Sequence, residues 1–85
     1  MRIDVTNIKK IMQKLRNKDP VLFIALQKKI AQLGSMDTVA AEHLKNLKGS
    51  MSHLKRVHVG SLVLIFSIEG ETIIFKDLVH HDDAY

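Results

Sequence analysis

Four side chains in the second half of the chain could do chemistry on an anionic substrate: Arg56, His58, Lys76 and His80. Arginine and lysine carry positive charges that bind phosphate. A histidine, with an ordinary pKa of about 6.5, can act as base or acid near neutral pH. Whether these groups act together depends on the elements that position them.

The run His80-His81-Asp82-Asp83 is a poor candidate for a metal site. Adjacent histidines on a strand point to opposite faces, so both can ligate one ion only if the chain turns there. Carboxylates are hard ligands and imidazoles are borderline ones, which suits no single metal well. The chain has no cysteine, which excludes a thiolate nucleophile, a disulfide scaffold and cysteine-ligated zinc. We therefore expect neither a metal nor a cofactor.

Length and composition predict one small domain, spanning residues 1–85. With 46% apolar and 26% charged residues, the chain has the composition of an ordinary globular protein. The longest unbroken apolar run, residues 21–26, is far too short to cross a membrane, and the N-terminal sequence MRIDVTNIKK lacks the apolar core of a signal peptide. We therefore expect a cytoplasmic protein without membrane contact.

The charge of the chain is divided between its two parts. Residues 1–59 contain twelve Lys and Arg but only four Asp and Glu, whereas residues 60–85 contain one Lys and five acidic residues. A basic front part suits a polyanion such as RNA, or an acidic protein partner. The alternative is a solvated helix surface that happens to be rich in lysine.

Apolar residues recur at helical spacing in two stretches that end before residue 35. The first helix starts near Thr6 and ends near Asn17. Asp19 is a good N-cap and Pro20 fits the first helical position, so a second helix begins there and ends at Gly34. The short link predicts that these two helices pack as an antiparallel hairpin.

A third, shorter helix is expected after Ser35 or Asp37, carrying the apolar residues Ala40, Leu44 and Leu47. Lys45 and Lys48 would then lie at its C-terminal end, where positive charge is favourable to the helix dipole. Contact with RNA is the alternative role for these two lysines.

The pattern changes to β-rich runs after Gly49. Residues 2–5 can add a short strand, and the later runs cover residues 54–59, 62–68 and 72–79. The fold class is therefore predicted as α+β, with an N-terminal helical hairpin packed on a small antiparallel sheet.

Gly60-Ser61 predicts a two-residue hairpin loop, which fixes which residues of the first two long strands lie opposite each other. Val59 then pairs with Leu62, and the pairing continues back along the strand to Arg56 opposite Ile65. Alternation of side chains places Val57, Val59, Leu62 and Leu64 on the core face, and Arg56, His58, Val63 and Ile65 on an open face.

A second two-residue loop at Glu69-Gly70 would pair Val63 with Lys76. Lys76 would then lie beside Arg56 and His58, with His80 further along the same face. A three-residue loop would instead place these side chains of the last strand on the opposite face of the sheet.

The segment from residue 44 to residue 85 resembles the C-terminal half of the RelE/ParE toxin superfamily. The similar pieces, in order, are LKNLKG, RVHVG where members often have RxRVG, an aliphatic strand ending in an aromatic residue, TIIF, and HHDDAY where members have an HRxxxY tail. The Lys-Asp-Pro helical start is also similar to that of many members. The resemblance implies a helical hairpin on an antiparallel sheet.

The resemblance also implies an activity, since RelE-type members cleave messenger RNA on the ribosome. The RNA's own 2′-OH attacks phosphorus, so the protein supplies cations and proton-transfer groups rather than a nucleophile or a metal. The implied catalytic residues are Arg56, His58, His81 and Tyr85. The expected RNA- or phosphate-binding residues are Lys45, Lys48, Lys55, Lys76 and His80.

The partners implied are a cognate antitoxin, the ribosome and messenger RNA, with operator DNA reached only through the antitoxin complex. Two alternatives remain open. ParE-type members share the fold but inhibit gyrase, and an inactive relative would bind its antitoxin without performing chemistry.

Three positions depart from the family pattern. His58 and His81 stand where arginine or lysine is common, and Val63 stands where the third strand usually carries an active-site arginine. If Val63 lies on the open face, Val63→Arg is expected to raise cleavage, with Lys76 supplying part of that charge in the natural chain.

Overall fold

The structure is a computed structural model that describes residues 1–47, 49 and 52–81. Helices and strands follow one another along the described chain in the order β1 (Arg2–Asp4), α1 (Lys9–Lys18), α2 (Pro20–Gly34), α3 (Thr38–Glu42), β2 (Lys55–Val59), β3 (Leu62–Glu69) and β4 (Thr72–His80). The α+β fold class is confirmed. None of the described helices has the length and apolarity that crossing a bilayer requires.

The four strands form one mixed sheet in the order β1-β4-β3-β2. β2, β3 and β4 are antiparallel neighbours, as predicted, but β1 pairs with β4 in parallel. The prediction of a purely antiparallel sheet was therefore wrong at the edge formed by β1. The chain between β1 and β4 contains the helices and the other two strands, so it is long enough for the crossover that parallel pairing requires.

Acidic side chains cap α2 and α3 at the positions that the sequence indicated. Asp19 Oδ1 accepts a hydrogen bond from the N–H of Leu22 at 3.1 Å, and Pro20 opens α2. Asp37 Oδ1 accepts one from the N–H of Ala40 at 2.7 Å. Because α3 ends at Glu42, however, Leu44 and Leu47 lie beyond the helix that was expected to carry them.

The start of the first helix differs from the prediction. A 3₁₀ turn covers Thr6–Ile8, and the α-helix begins only at Lys9. Asp4 Oδ1 accepts the N–H of Thr6 at 2.9 Å, so an acidic side chain from the preceding strand satisfies this turn.

The main core lies between the helices and one face of the sheet. Phe66 and Phe75 are fully buried at its centre, with ring centroids 5.9 Å apart. The other buried members come from both the helical part and the strands: Ile8, Leu26, Ile30, Leu33, Val59, Leu62, Leu64, Ile73 and Leu78. Val57 packs against this cluster, so the predicted core face of the first hairpin is confirmed.

The register of the first hairpin is also confirmed. Val59 pairs with Leu62, and the pairing continues along the strands until Arg56 lies opposite Ile65. Gly60 has a φ of +58°, which glycine adopts without strain and which a two-residue loop with glycine first requires.

The register of the second hairpin was predicted wrongly. Its loop is Gly70-Glu71, so Glu69 pairs with Thr72 and the glycine again comes first, with a φ of +61°. Further along, the pairing changes from Phe66 opposite Phe75 to Ile65 opposite Asp77, which leaves Lys76 as an extra residue on β4. This β-bulge reverses which residues of β4 point to each face.

The second sheet face, bearing Arg56, His58, Val63, Ile65 and Ser67, is called the outer face below. It is not open as expected, because Leu47 and Leu54 pack over it and form a smaller cluster with Val63, Ile65 and Val79. Val63 is 0% exposed. The expectation that an arginine at position 63 would reach substrate from an open surface is therefore wrong.

Candidate active site

Two histidines meet on the outer face near the loop between β2 and β3. Nε2 of His58 lies 3.1 Å from Nδ1 of His81, and the ring centroids are 5.1 Å apart with their planes tilted by 43°. At this distance one ring donates an N–H and the other accepts with a lone pair. His58 and His81 therefore form a hydrogen-bonded imidazole pair.

The bulge in β4 decides which histidine faces His58. Beyond Lys76 the residues of β4 that point to the outer face are the odd-numbered ones, so His81 reaches His58 and His80 does not. The backbone N–H of His81 donates to the carbonyl oxygen of Ser61 at 2.9 Å. The Gly60-Ser61 loop thus anchors the chain at the point where the imidazole pair forms.

His80 lies beside the pair but on the other side of the strand. It pairs with Leu62, a core-face residue, and is itself exposed. Together with Gly60, Ser61 and the two paired histidines, it lines an open depression of about 450 Å³. The structure therefore brings His58, His80 and His81 around one concave surface, although the expected placement of His80 on the face of Arg56 was wrong.

Arg56 shares the outer face with His58 and lies two residues before it on β2. This spacing corresponds to about 6–7 Å along a strand. The Arg56 side chain is half-buried, and its backbone N–H donates to the carbonyl oxygen of Lys45 at 2.9 Å. A guanidinium is thus held on the same surface as the imidazole pair.

Lys55 has a structural environment. Its ammonium donates to the carbonyl oxygens of Glu42 at 2.8 Å and Leu44 at 3.1 Å, and to Oδ1 of Asn46 at 2.8 Å. An ammonium has three N–H donors, and these contacts account for all three. Lys55 therefore fastens the segment that follows α3 to the edge of β2, which favours a structural role over phosphate contact.

The remaining predicted residues are spread across the molecule. Lys45 is exposed and lies three residues beyond the end of α3, so it does not occupy the helix terminus that was expected for it. Lys76 is exposed at the bulge and is not opposite Val63, whose partner is Val79. Lys48 and Tyr85 lie outside the described residues, as do Asp82 and Asp83.

The imidazole pair has a defined proton-transfer capacity. If His58 Nε2 donates, His58 Nδ1 carries a lone pair and His81 Nε2 carries a proton, and the opposite tautomer reverses the two roles. In either case the outer nitrogens of the neutral pair comprise one base and one acid. Across residues 1–47, 49 and 52–81, no three His, Cys, Asp or Glu side chains are grouped so as to hold a metal ion.

Sequence reasoning missed the residues that position and cover the site. Ser61 holds His81 through a backbone carbonyl, a role that any residue type can perform and that leaves no sequence signal. Leu47 and Leu54 cover the outer face together, and the Leu47 N–H donates to the Leu54 carbonyl oxygen at 2.9 Å. The only indication of this cover in the sequence was that apolar residues stand on both sides of Gly49.

Comparison with known proteins identifies relatives in archaea. A Methanocaldococcus jannaschii protein named "Putative toxin RelE4" is 37% identical over 82 residues, which cover 93% of this chain and 83% of that protein. An uncharacterized Methanosarcina mazei protein is 50% identical over 44 residues, covering 48% of this chain and 51% of that protein. No family model and no solved structure matches the chain. The first relative is similar across the helical part and the sheet together, and the chain belongs to the RelE toxin family.

Proposed function

We propose that this chain is the toxin of a toxin–antitoxin pair and inhibits translation by cleaving ribosome-bound messenger RNA without a metal ion. The observation that carries the proposal is the hydrogen bond between His58 and His81, on the sheet face that also bears Arg56. Family membership supports the toxin role, and the paired imidazoles supply the acid and base that RNA cleavage requires.

The chemistry follows from the two outer nitrogens of the pair. The nitrogen with the lone pair takes the proton of a ribose 2′-OH while the 2′-oxygen forms a bond to the adjacent phosphorus. The bond from phosphorus to the 5′-oxygen breaks, and the N–H of the other imidazole protonates that leaving oxygen. The products are a 2′,3′-cyclic phosphate and a 5′-hydroxyl, and the step consumes no water and requires no metal ion.

Arg56 would bind the phosphoryl oxygens as negative charge develops on them. A guanidinium donates two parallel hydrogen bonds to such oxygens, and a fixed donor of this kind contributes about 10²–10³ in rate. Tyr85 is proposed to complete the site from the C-terminal segment, where stacking on an aromatic ring can hold a base in place.

The partners proposed are an antitoxin, the ribosome and messenger RNA, in the cytoplasm. So small a sheet surface cannot orient RNA unaided, so ribosome complexes are expected to be cleaved far faster than naked RNA. Expression alone should arrest growth and translation, and co-expression of the antitoxin should relieve that arrest.

The decisive experiment is a single-turnover cleavage assay on ribosome complexes with mapping of the RNA ends. We expect 2′,3′-cyclic phosphate or 3′-phosphate ends, at a rate unaffected by 1,10-phenanthroline, which removes transition metals and spares magnesium. His58→Ala should abolish most of the cleavage, and His43→Ala, which changes an exposed histidine outside the pair, serves as the matched control.

The alternatives predict different combined outcomes of the expression and cleavage experiments. A weak or silent relative is the first alternative, because valine stands at position 63, where the family usually has an arginine, and supplies no cation. Growth arrest without RNA cleavage would point to a ParE-type inhibitor of a protein target. Normal growth with abundant folded protein would point to a relative that only binds its antitoxin.

A further inference from the structure

The two inner nitrogens of the imidazole pair are separated by nearly the distance between two ligands of one metal ion. Nε2 of His58 and Nδ1 of His81 lie 3.1 Å apart. Zinc binds imidazole nitrogen at about 2.0–2.1 Å in tetrahedral geometry, so two such ligands of one ion lie about 3.3–3.4 Å apart. The nitrogens therefore need to separate by only a few tenths of an ångström to chelate zinc.

Both rings are placed where an ion can reach them. His58 and His81 are exposed and line the open depression beside the Gly60-Ser61 loop. Exposed rings can rotate about their side-chain bonds, so the two nitrogens that share a hydrogen bond can turn toward a common ion. The backbone is held at both positions, because His58 pairs with Val63 in the sheet and the His81 N–H donates to the carbonyl oxygen of Ser61. The fold therefore brings the two ligands together before an ion binds.

The ligand type and the neighbouring charge select the class of metal ion. Imidazole nitrogen suits Zn²⁺ and Cu²⁺, whereas Mg²⁺ and Ca²⁺ prefer oxygen ligands. Arg56 lies on the same outer face, two residues before His58, and its positive charge disfavours any cation held by charge alone. The pair therefore favours an ion that bonds strongly to nitrogen.

This arrangement differs from a structural zinc site, which is closed by four protein ligands. Across residues 1–47, 49 and 52–81, no three His, Cys, Asp or Glu side chains are grouped so as to hold a metal ion. With two protein ligands, zinc keeps its other positions for water or a phosphate oxygen, and the fold does not depend on it. Such an ion binds reversibly, which suits an inhibitor better than a structural component.

We propose that His58 and His81 bind one Zn²⁺ ion and that this ion switches off proton transfer by the pair. The inhibitory effect rests on the proposed function. A neutral imidazole that bonds a metal through one nitrogen carries its proton on the other nitrogen. With both inner nitrogens on zinc, Nδ1 of His58 and Nε2 of His81 are both protonated. The ring that donated the hydrogen bond moves its proton from the inner to the outer nitrogen, and the pair neither gains nor loses a proton overall.

The loss of a lone pair explains why zinc would inhibit cleavage. The pair without zinc presents one base and one acid, whereas the zinc-bound pair presents two N–H donors and no base. Nothing in the zinc-bound pair can then take the proton of the ribose 2′-OH. Zinc is thus an inhibitor of this site and not a cofactor.

The test is a titration of the untagged chain with ZnCl₂, without RNA, followed by calorimetry and by ¹⁵N NMR of the imidazole nitrogens. We expect one ion per chain, with the signals of His58 Nε2 and His81 Nδ1 shifting and saturating together. The same titration with MgCl₂ should shift neither signal. Saturation at another histidine while these two signals stay unchanged would overturn the proposal, and this measurement on the natural chain does not depend on the folding of any variant.

Matched variants identify the ligands independently. His58→Ala and His81→Ala should each weaken zinc binding by more than about tenfold, since even groups outside the ligand shell of a metal contribute about 10–100-fold. His43→Ala, which removes an exposed histidine outside the pair, should leave zinc binding unchanged. Full zinc binding by His58→Ala would assign the ion to other residues and overturn the chelate.

The effect on catalysis is measured in the single-turnover assay on ribosome complexes. Saturating Zn²⁺ should lower the rate by about 10²–10⁴-fold, the usual contribution of a general base, and 1,10-phenanthroline should restore it. Undiminished cleavage at saturating zinc would overturn the inhibitory role. Cleavage by a chain whose paired imidazoles do not respond to zinc would overturn the metal site alone. Saturable zinc binding at the pair in a chain that cleaves no RNA would support the metal site and overturn the nuclease proposal.

Discussion

Nε2 of His58 and Nδ1 of His81 lie 3.1 Å apart, although the two residues are separated by 23 positions in the chain. If the rings act as one unit, removing either should cost nearly as much as removing both. We expect His58→Ala and His81→Ala each to lower single-turnover cleavage on ribosome complexes by about 10²–10⁴-fold. The double variant should be little worse, whereas multiplicative losses would show that the two imidazoles act independently.

Val63→Arg should destabilise the fold rather than raise cleavage. Val63 is 0% exposed and clusters with Leu47 and Leu54, so an arginine there would bury a charge or displace these two leucines. An uncompensated buried charge costs about 3–5 kcal/mol. Chemical denaturation can measure this against Val39→Arg, because Val39 is 67% exposed and the same change there should be nearly neutral. A Val63→Arg protein of normal stability with faster cleavage would contradict the burial of this position.

Lys55→Met should lower the free energy of unfolding by about 1.5–3 kcal/mol, the usual contribution of hydrogen bonds to a charged group. The change keeps the length of the side chain but removes the donors to Glu42, Leu44 and Asn46. Lys45→Met, at an exposed neighbouring position, is the control and should leave stability unchanged. Reduced RNA binding by Lys55→Met without any loss of stability would instead support a phosphate-binding role for Lys55.

Asp4→Asn should reduce stability near neutral pH and have less effect in acid. Hydrogen bonds from the side chain and the backbone N–H of Thr6 hold the pKa of the Asp4 carboxyl below its ordinary value of 3.8, with a smaller contribution from Lys76. Because the folded state favours the charged carboxylate, its stabilisation is fully present above pH 3.8 and is lost as the pH falls through the folded-state pKa. Thermal unfolding of the natural chain and of Asp4→Asn at several pH values measures this effect. A difference in stability between the two proteins that grows on acidification would contradict the lowered pKa of Asp4.

Local sequence chemistry was sufficient for the elements and for one hairpin. Asp19-Pro20 marked the start of α2, and Gly60-Ser61 fixed the pairing of His58 with Val63. Each of these features depends on residues adjacent in the chain, because a cap or a two-residue loop is decided by its own backbone angles and nearest hydrogen bonds. The family resemblance was likewise carried by short motifs in a fixed order.

The sequence by itself therefore determined the α+β class, the core face of the first hairpin and the types of residue available for chemistry. The tertiary structure decided that His81 rather than His80 faces His58, because a bulge at Lys76 changes the direction of every later side chain in β4. It also decided that Val63 is buried, because Leu47 and Leu54 fold over the outer face. Neither outcome leaves a periodic signal in the sequence, because a bulge breaks the alternation of β4 and the cover over Val63 comes from another part of the chain.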